Sequence, residues 1–420
     1  MGSQKKQIYL ITNGFPMDSS EDPFIIPELK KLVKYYDVTI IACIRMKNIA
    51  FIKRDLKKVI GKEIPVYQYR EHRKNLFQMI RSICVCIHPV FLQEIVTIIK
   101  SRKMIMGRIW RSYLFFTQSE DFYQWLKREQ IIKKGQKGIF YSYWNVYYCL
   151  HLALYRNVYS ELKFVSRLHG YDLYEYVTPY HWQPFKRKMD SLYDKMVFVS
   201  EHGRNYYSEK YAMSDNIKKY PVCRLGVSPQ KRNLYKKNRP FLLVSCSTIY
   251  ELKRVYLIIE ALEKIHNIEI QWVHFGDGED RRETEWLAKK LLGSKENIKY
   301  TFMGKTANEK ILAYYGENYP SCIINVSRSE GSPVSLQEAV AFGTPVIVTD
   351  VGGNSEFVDH NGYLLSTNPT PEQVAEAIEK IATMDKDKYQ SMRKNSYQLW
   401  ENKYNRDKNI REFFDVLEEV

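Results

Sequence analysis

The chain has 420 residues, enough for two or three domains, and with 45% hydrophobic and 27% charged residues it is not an intrinsically disordered protein. Its 64 Lys and Arg exceed its 48 Asp and Glu by 16, and the excess is local: residues 1–230 hold 38 basic and 20 acidic side chains, residues 231–420 hold 26 and 28. A net +18 in one half and −2 in the other predicts two domains with different partners, the basic one facing nucleic acid, an acidic membrane surface or a phosphorylated substrate.

Seven scattered cysteines do not make a disulfide framework and suit a reducing cytosol; Cys84 and Cys86 lack a second pair at zinc-site spacing and read as core. The apolar stretch at 7–12 is too short for a signal peptide, and Lys6 breaks the myristoylation pattern. The longest apolar region, 76–99, is interrupted by Arg81, His88, Pro89 and Glu94, so no membrane-spanning helix is expected.

In chain order, a short strand at 8–12 ends in the turn signal Asn13-Gly14-Phe15-Pro16. A helical pattern at 27–33 and a buried strand at 38–43 complete a β-α-β start, followed by strands at 138–143, 164–168 and 196–200. Residues 228–240 are polar and basic and read as a linker. The second half alternates strands (241–246, 270–275, 298–302, 321–326, 345–349) with helices (255–265, 282–292, 308–315, 333–342), the pattern of a doubly wound domain. A helix at about 388–419 closes the chain.

The segment Asn325 to Ala339 carries most of the chemistry. Gly331-Ser332-Pro333 opens a helix, with Ser332 expected as N-cap and Pro333 at the first helical position. The amides of Gly331, Ser332, Val334 and Ser335 then face outward from a positive helix terminus, an anion site. Glu330 and Glu338 flank it, about 12 Å apart if the eight residues between them are helical. That suits a diphosphate with hydroxyls at both ends, a nucleotide sugar: Glu338 accepts from ribose, Glu330 from the sugar.

The run E-G-S-P-V-S-L-Q-E-A-V-A-F-G-T-P-V-I-V-T-D-V-G-G-N-S-E, about 27 residues from Glu330 to Glu356, resembles the donor-binding signature of the retaining glycosyltransferases of family 4. I-T-N-G-F-P near the start, H-G-Y-D at 169–172, F-G-D-G-E at 275–279 and F-M-G-K at 302–305 extend the resemblance along most of the chain. It implies a GT-B fold: α/β, two Rossmann-like doubly wound domains facing across a cleft, with a C-terminal helix crossing back. The domains would be 1–228 for the acceptor, 229–390 for the donor, and 391–420 for the returning helix.

The resemblance also implies roles. Glu330 would contact the donor sugar and Glu338 the ribose. Gly331, Ser332, Pro333, Val334 and Ser335 would surround sugar and phosphates, Gly304 and Lys305 would sit by the nucleobase, and Ser247 and Gly14 would line the donor site. The family grips its leaving diphosphate with an Arg and, five residues on, a Lys. Lys253 matches the Lys, Thr248 stands where the Arg is expected, and Arg254 is the candidate substitute. Two cations there offset the charge that grows as the sugar–phosphate bond breaks. His169, in His-Gly-Tyr-Asp after a buried strand, would face the reacting centre or an outer sugar hydroxyl; His202 competes with it. Catalysis then rests on His169, Lys253 and Glu330. No protein nucleophile is evident, and the family's same-face route lets the leaving phosphate deprotonate the acceptor, with no metal or other cofactor. Asp385-Lys386-Asp387 reads as a solvated charge run and not as a metal motif.

The implied activity is transfer of a sugar from a nucleotide donor (UDP-sugar favoured, GDP-mannose the alternative) to a glycan hydroxyl, on a lipid-linked oligosaccharide in bacterial polysaccharide assembly. Basic and large apolar residues mingle from Arg70 to Phe116, and Lys100, Arg102, Arg108, Trp110 and Arg111 are the expected contacts of a peripheral protein with the anionic inner face of the cell membrane. A nucleotide-sugar epimerase or a phosphorylase on the same architecture is the rival reading. A nucleic-acid-binding protein is a remote one, suggested by charge alone, since no RRM- or KH-type signature is present.

Overall fold

The computed structural model describes residues 5–17, 21–44, 55–70, 87–230 and 240–420. Cys84, Cys86, the start of the basic-apolar stretch at 71–86 and most of the linker, 231–239, lie outside the described residues. The chain divides into two compact units: Met1–Val199, Gly203–Cys223 and Phe414–Val420 form the first, Ser200–His202 and Arg224–Phe413 the second.

The first unit is built on a six-stranded parallel sheet of β1 (Gln7–Thr12), β2 (Asp37–Ile44), β3 (Val66–Arg70), β4 (Gly138–Ser142), β5 (Leu162–Leu168) and β6 (Lys195–Phe198), in the order β3-β2-β1-β4-β5-β6. The strands β1, β2 and β4 are buried along almost their whole length because both sheet faces are covered, so they read as unbroken apolar runs. The edge strand β3, VYQYR, keeps polar and exposed positions, so no strand was expected there. Helix α1 (Asp22–Tyr35) follows β1, and α2 (Pro89–Ser101) and the long α3 (Ile105–Arg128) pack together. Helix α3 buries Arg108, Ser112, Thr117 and Ser119 beside Phe116 and Phe122. Polar residues on its inner face blur the apolar period that would have announced it.

The second unit repeats the plan with β7 (Phe241–Cys246), β8 (Ile270–Phe275), β9 (Ile298–Phe302), β10 (Cys322–Asn325), β11 (Val346–Thr349) and β12 (Gly362–Leu365), ordered β12-β11-β10-β7-β8-β9 and all parallel. Its helices include α4 (Val255–Lys264), α5 (Arg281–Leu292), α6 (Asn308–Asn318), α7 (Val334–Ala341), α8 (Pro371–Thr383) and α9 (Lys386–Leu399). The expected closing helix is interrupted. A π turn at Trp400–Tyr404 follows α9, and α10 (Arg406–Glu418) resumes after Asn405. The break seats two aromatics: the Trp400 indole donates to the Val227 carbonyl, and Tyr404 stacks on Phe357 at 4.4 Å. Residues up to Phe413 belong to the second unit and Phe414–Val420 to the first. Asp385 caps α9 by accepting from the Lys388 amide, so the Asp-Lys-Asp run is a helix cap.

Candidate active site

In an open parallel sheet, a crevice forms beyond the carboxyl ends of the strands where the strand order reverses. The second unit reverses between β7 and β10. The loop leaving β7 carries Ser247, Thr248 and Lys253, and the loop leaving β10 carries Glu330. The two loops meet there: Lys253 Nζ donates to Glu330 Oε1 at 2.6 Å. Asn325 Nδ2 and Ser327 Oγ donate to the same oxygen, at 3.0 and 2.6 Å. Three donors on one oxygen fix the carboxylate, and no donor from the described residues reaches Oε2. The pair is largely buried, with 17% of Lys253 and 9% of Glu330 exposed. An ammonium has three N–H donors, so Lys253 can hold Glu330 and a phosphate together. Asn325 and Ser327 fell within the motif, but sequence reasoning assigned them nothing.

Gly352 supports this arrangement from behind. Its φ is +52°, and a Cβ there would lie 1.7 Å from the Glu330 carbonyl oxygen, so only glycine fits. The first glycine of the G-G pair in the motif thus sets the height of the Glu330 loop.

The structure corrects the expected helix start. Helix α7 begins at Val334, with Pro333 before it in extended backbone, and no side chain caps it. Ser332 Oγ accepts instead from Gln337 Nε2 at 3.1 Å. Residues 330–333 are therefore not helical, and the 12 Å spacing drawn for a continuous helix does not apply. Uncapped, the main-chain N–H groups of Gly331, Ser332, Val334 and Ser335 meet no acceptor among the described residues, which leaves these donors able to meet an anion.

Glu338 lies on the buried side of α7, 4% exposed, with Asn308 Nδ2 donating to Oε1. Burial, against the opposing pull of Asn308 and Arg406, pushes its carboxyl up to about 7. Its charge also acts on Cys246 at the end of β7, whose thiol burial raises to about 12. Both carboxylates of the motif therefore address the reversal point, one charge-paired and one poised between its charge states.

Arg254 does not belong to this site. It is 1% exposed, and its guanidinium donates to the carbonyls of Val326, Ser327 and Thr367 and to Asn368 Oδ1. It ties the loops after β7 and β10 to residues 367–368, so it cannot replace the missing arginine at a diphosphate. Thr248 is exposed. Ser247, whose amide donates to the Phe275 carbonyl, and Gly304, whose carbonyl accepts from the Gly276 amide, join the loops after β7, β8 and β9 along the same edge, with Lys305 exposed beside them.

Gly14 and His169 belong to the first unit, whose order reverses between β1 and β4. Gly14, with φ +149°, turns the chain after β1. His169 follows β5, and its ring lies 4.2 Å from Trp144 and 5.2 Å from Tyr143, both just past β4. Asp172 holds the loop: its carboxylate accepts from the amides of His169 and Asn145, each at 2.8 Å. Burial opposes the Asp172 charge, but His169, Lys186 and the Asn145 amide outweigh it and keep the carboxyl below its ordinary range. Neither ring nitrogen of His169 has a hydrogen-bond partner among the described residues, and both are buried. Trp144 was missed because no spacing rule marks a tryptophan that follows a strand. His202 belongs to the second unit and is exposed, its amide donating to Glu356 Oε1.

Two of the five expected membrane contacts turn inward. Arg108 is 6% exposed and donates to the carbonyls of Tyr180 and His181 and to Ser101 Oγ, with Trp182 beneath it at 4.8 Å. Arg111 donates to the Trp182 carbonyl at 2.8 Å. Both fasten α3 to 180–182, since a buried guanidinium is stable only with acceptors around it. Lys100, Arg102 and Trp110 are exposed, and large apolar side chains join them on α2 and α3: Leu92, Val96, Ile99, Met106 and Leu114. No described helix is long and apolar enough to cross a membrane.

Residues 228–399 match the family model described as Glycosyl transferases group 1. The amylovoran biosynthesis glycosyltransferase AmsK of Erwinia amylovora is 27% identical over 233 residues, 52% of this chain and 54% of that protein. The UDP-N-acetylglucosamine–peptide N-acetylglucosaminyltransferase GtfA subunit of Streptococcus gordonii is 31% identical over 236 residues, 53% of this chain and 45% of that protein. The chain thus spans about half the length of these curated relatives. Among solved structures, the lipopolysaccharide outer core galactosyltransferase WaaB superposes with a TM-score of 0.66 at 14% identity, covering 98% of this chain and 99% of that one. Alr3699/HepE of Anabaena, in complex with UDP and glucose, gives 0.65 at 14% identity, covering 99% and 100%. The fold is that of the GT-B glycosyltransferases. The family model and the curated relatives are those of glycosyltransferases, and the matched segment is the one that holds Lys253, Glu330 and Glu338.

Proposed function

We propose that the chain is a retaining glycosyltransferase of family 4 that moves a hexosyl-type sugar from a nucleotide donor to a hydroxyl of a glycan acceptor. The Lys253–Glu330 pair at the β7/β10 reversal, beside the unpaired amides of residues 331–335, carries this reading. The diphosphate takes the amides and Lys253, the sugar a hydroxyl bond to Glu330 Oε2, and the ribose Glu338. As the bond from the anomeric carbon to the diphosphate breaks, charge grows on the leaving oxygen, where Lys253 and the fixed amide dipoles stabilise it. The acceptor oxygen bonds to the same face of that carbon and gives its proton to the departing phosphate. His169 donates to a sugar oxygen or supports the shifting proton. No metal enters this scheme, so chelation leaves turnover unchanged.

UDP is the favoured carrier, since HepE is solved with UDP and glucose and GtfA is named for a UDP-sugar; GDP-mannose is the alternative. A thermal-shift panel of UDP-, GDP- and ADP-sugars tests this: one nucleotide raises the melting temperature of wild type more than of Glu338→Ala. An inverted product, or interconversion of the nucleotide sugar without acceptor, overturns the reading.

The acceptor we propose is a lipid-linked oligosaccharide of polysaccharide assembly, met at the inner face of the cell membrane. The α2–α3 face supports this. Leu92, Val96 and Ile99 line one helix, and Met106, Trp110 and Leu114 the other, beside the cations Lys100, Arg102 and Lys103. Glu94 is the one acid among residues 87–119, and it is turned inward to the Phe185 amide and the Trp182 indole. Apolar side chains with cations and no exposed acid match an anionic bilayer. Vesicles containing phosphatidylglycerol are expected to co-sediment the protein, and pure phosphatidylcholine to do so weakly.

A further inference from the structure

At the carboxyl edge of the first sheet, one buried carboxylate joins two loops. Glu21, 4% exposed, accepts from the amides of Asn13 at 3.3 Å and Phe15 at 3.0 Å, the turn after β1. It also accepts from the Trp144 indole N–H, in the turn after β4. These two turns flank the strand-order reversal. The indole of Trp144 in turn lies against the His169 ring, with centroids 4.2 Å apart and planes 37° apart.

His169 has no other means of orientation through its ring. Both nitrogens lack hydrogen-bond partners among the described residues, and the nearest carboxylate oxygen there, of Asp172, stands 3.9 Å from Nδ1, outside hydrogen-bonding distance. Asp172 fixes the His169 backbone through its amide. The plane of the imidazole is left to its aromatic neighbours, and of these Trp144 is the nearer, its indole tethered through Glu21.

We propose that Glu21 and Trp144 are positioning residues for His169: Glu21 locks the indole, the indole sets the imidazole plane, and both ring nitrogens stay free for substrate. The same carboxylate sets the Asn13–Gly14–Phe15 turn, so one group aligns both sides of the reversal point. This proposal rests on His169 acting in the transfer reaction.

The test is a double-mutant cycle on turnover, read as UDP released from UDP-glucose or UDP-N-acetylglucosamine, whichever wild type uses faster. Trp144→Phe keeps a ring and removes the indole donor. It is expected to lower kcat by about tenfold or more with KM little changed, as small misplacements of a reacting group do. In a His169→Ala background, Trp144→Phe is expected to change kcat by less than about twofold, because effects through one group do not add. Glu21→Gln follows the same pattern; if it fails to fold, the Trp144 cycle decides alone. Equal losses in both backgrounds, tracking a fall in melting temperature, overturn the proposal and leave Trp144 a structural residue. If His169→Ala itself leaves kcat within about twofold of wild type, the role of His169 falls, and the proposal with it.

Discussion

The two reversal points share a topology and differ in chemistry. In the second unit the loops after β7 and β10 are joined by charge: Lys253 on Glu330, with free amides at α7 and Glu338 behind. In the first unit the loops after β1 and β4 are joined by Glu21 to an aromatic face, Trp144 against His169. The contrast separates the tasks. A diphosphate needs fixed positive potential, and so a cation held in place by a counter-charge. A hydroxylic partner needs shape, aromatic surface and an uncommitted donor. The +18 and −2 halves of the chain therefore mislead if read as binding sites: the anion site we propose lies in the half without net positive charge.

The strongest way to break that contrast is Lys253→Met. It removes the cation and leaves Glu330 with two neutral donors, and turnover is expected to fall by about 10²- to 10³-fold. A loss below about threefold would mean that the amides alone serve the leaving group.

Next comes Arg254→Lys. Four acceptors surround this guanidinium, and a lysine cannot satisfy them in that geometry. Stability is expected to fall by about 3 kcal/mol in denaturant titrations, with nucleotide affinity retained in the fraction that folds. Weakened UDP binding at unchanged stability would return Arg254 to the donor site.

Glu338 sharpens the comparison through pH. Its carboxyl is raised from 4.5 to about 7, so across that window the folded chain keeps a proton that the unfolded chain has released. Unliganded stability should thus fall as pH rises from 4.5 to 7, by up to about 3 kcal/mol, and Glu338→Gln should flatten the slope. UDP affinity should rise as pH passes 7, because the carboxylate accepts both ribose hydroxyls.

The smallest expected effect concerns the α2–α3 face. Met106→Ser with Trp110→Ser should weaken binding to phosphatidylglycerol vesicles by about tenfold at unchanged turnover on a soluble acceptor. Charge reversal at Arg108 or Arg111 should instead cost stability, since both are spent on carbonyls of residues 180–182.

Much of this was legible in the sequence. Buried parallel strands announce themselves as apolar runs, and the Glu330–Glu356 motif singled out the loop and helix where we propose the donor binds because its spacing is tied to one strand–loop–helix unit. What escaped detection has physical causes. The edge strand β3 and the polar inner face of α3 carry weak periodicity. Basic side chains look alike in sequence, whether solvated like Lys100 or buried like Arg108 and Arg254. The helix start slipped because Ser332 bonds Gln337 and leaves the helix end uncapped. Trp144 and Glu21 come together only through the strand order, which places β1 beside β4.

The central claim, a diphosphate held at the β7/β10 reversal, is tested most directly by calorimetric titration of UDP into wild type and Lys253→Met at pH 8. Loss of one charge-assisted contact predicts a Kd raised about 10- to 100-fold in the variant. An unchanged Kd, with the variant folded, would contradict the account.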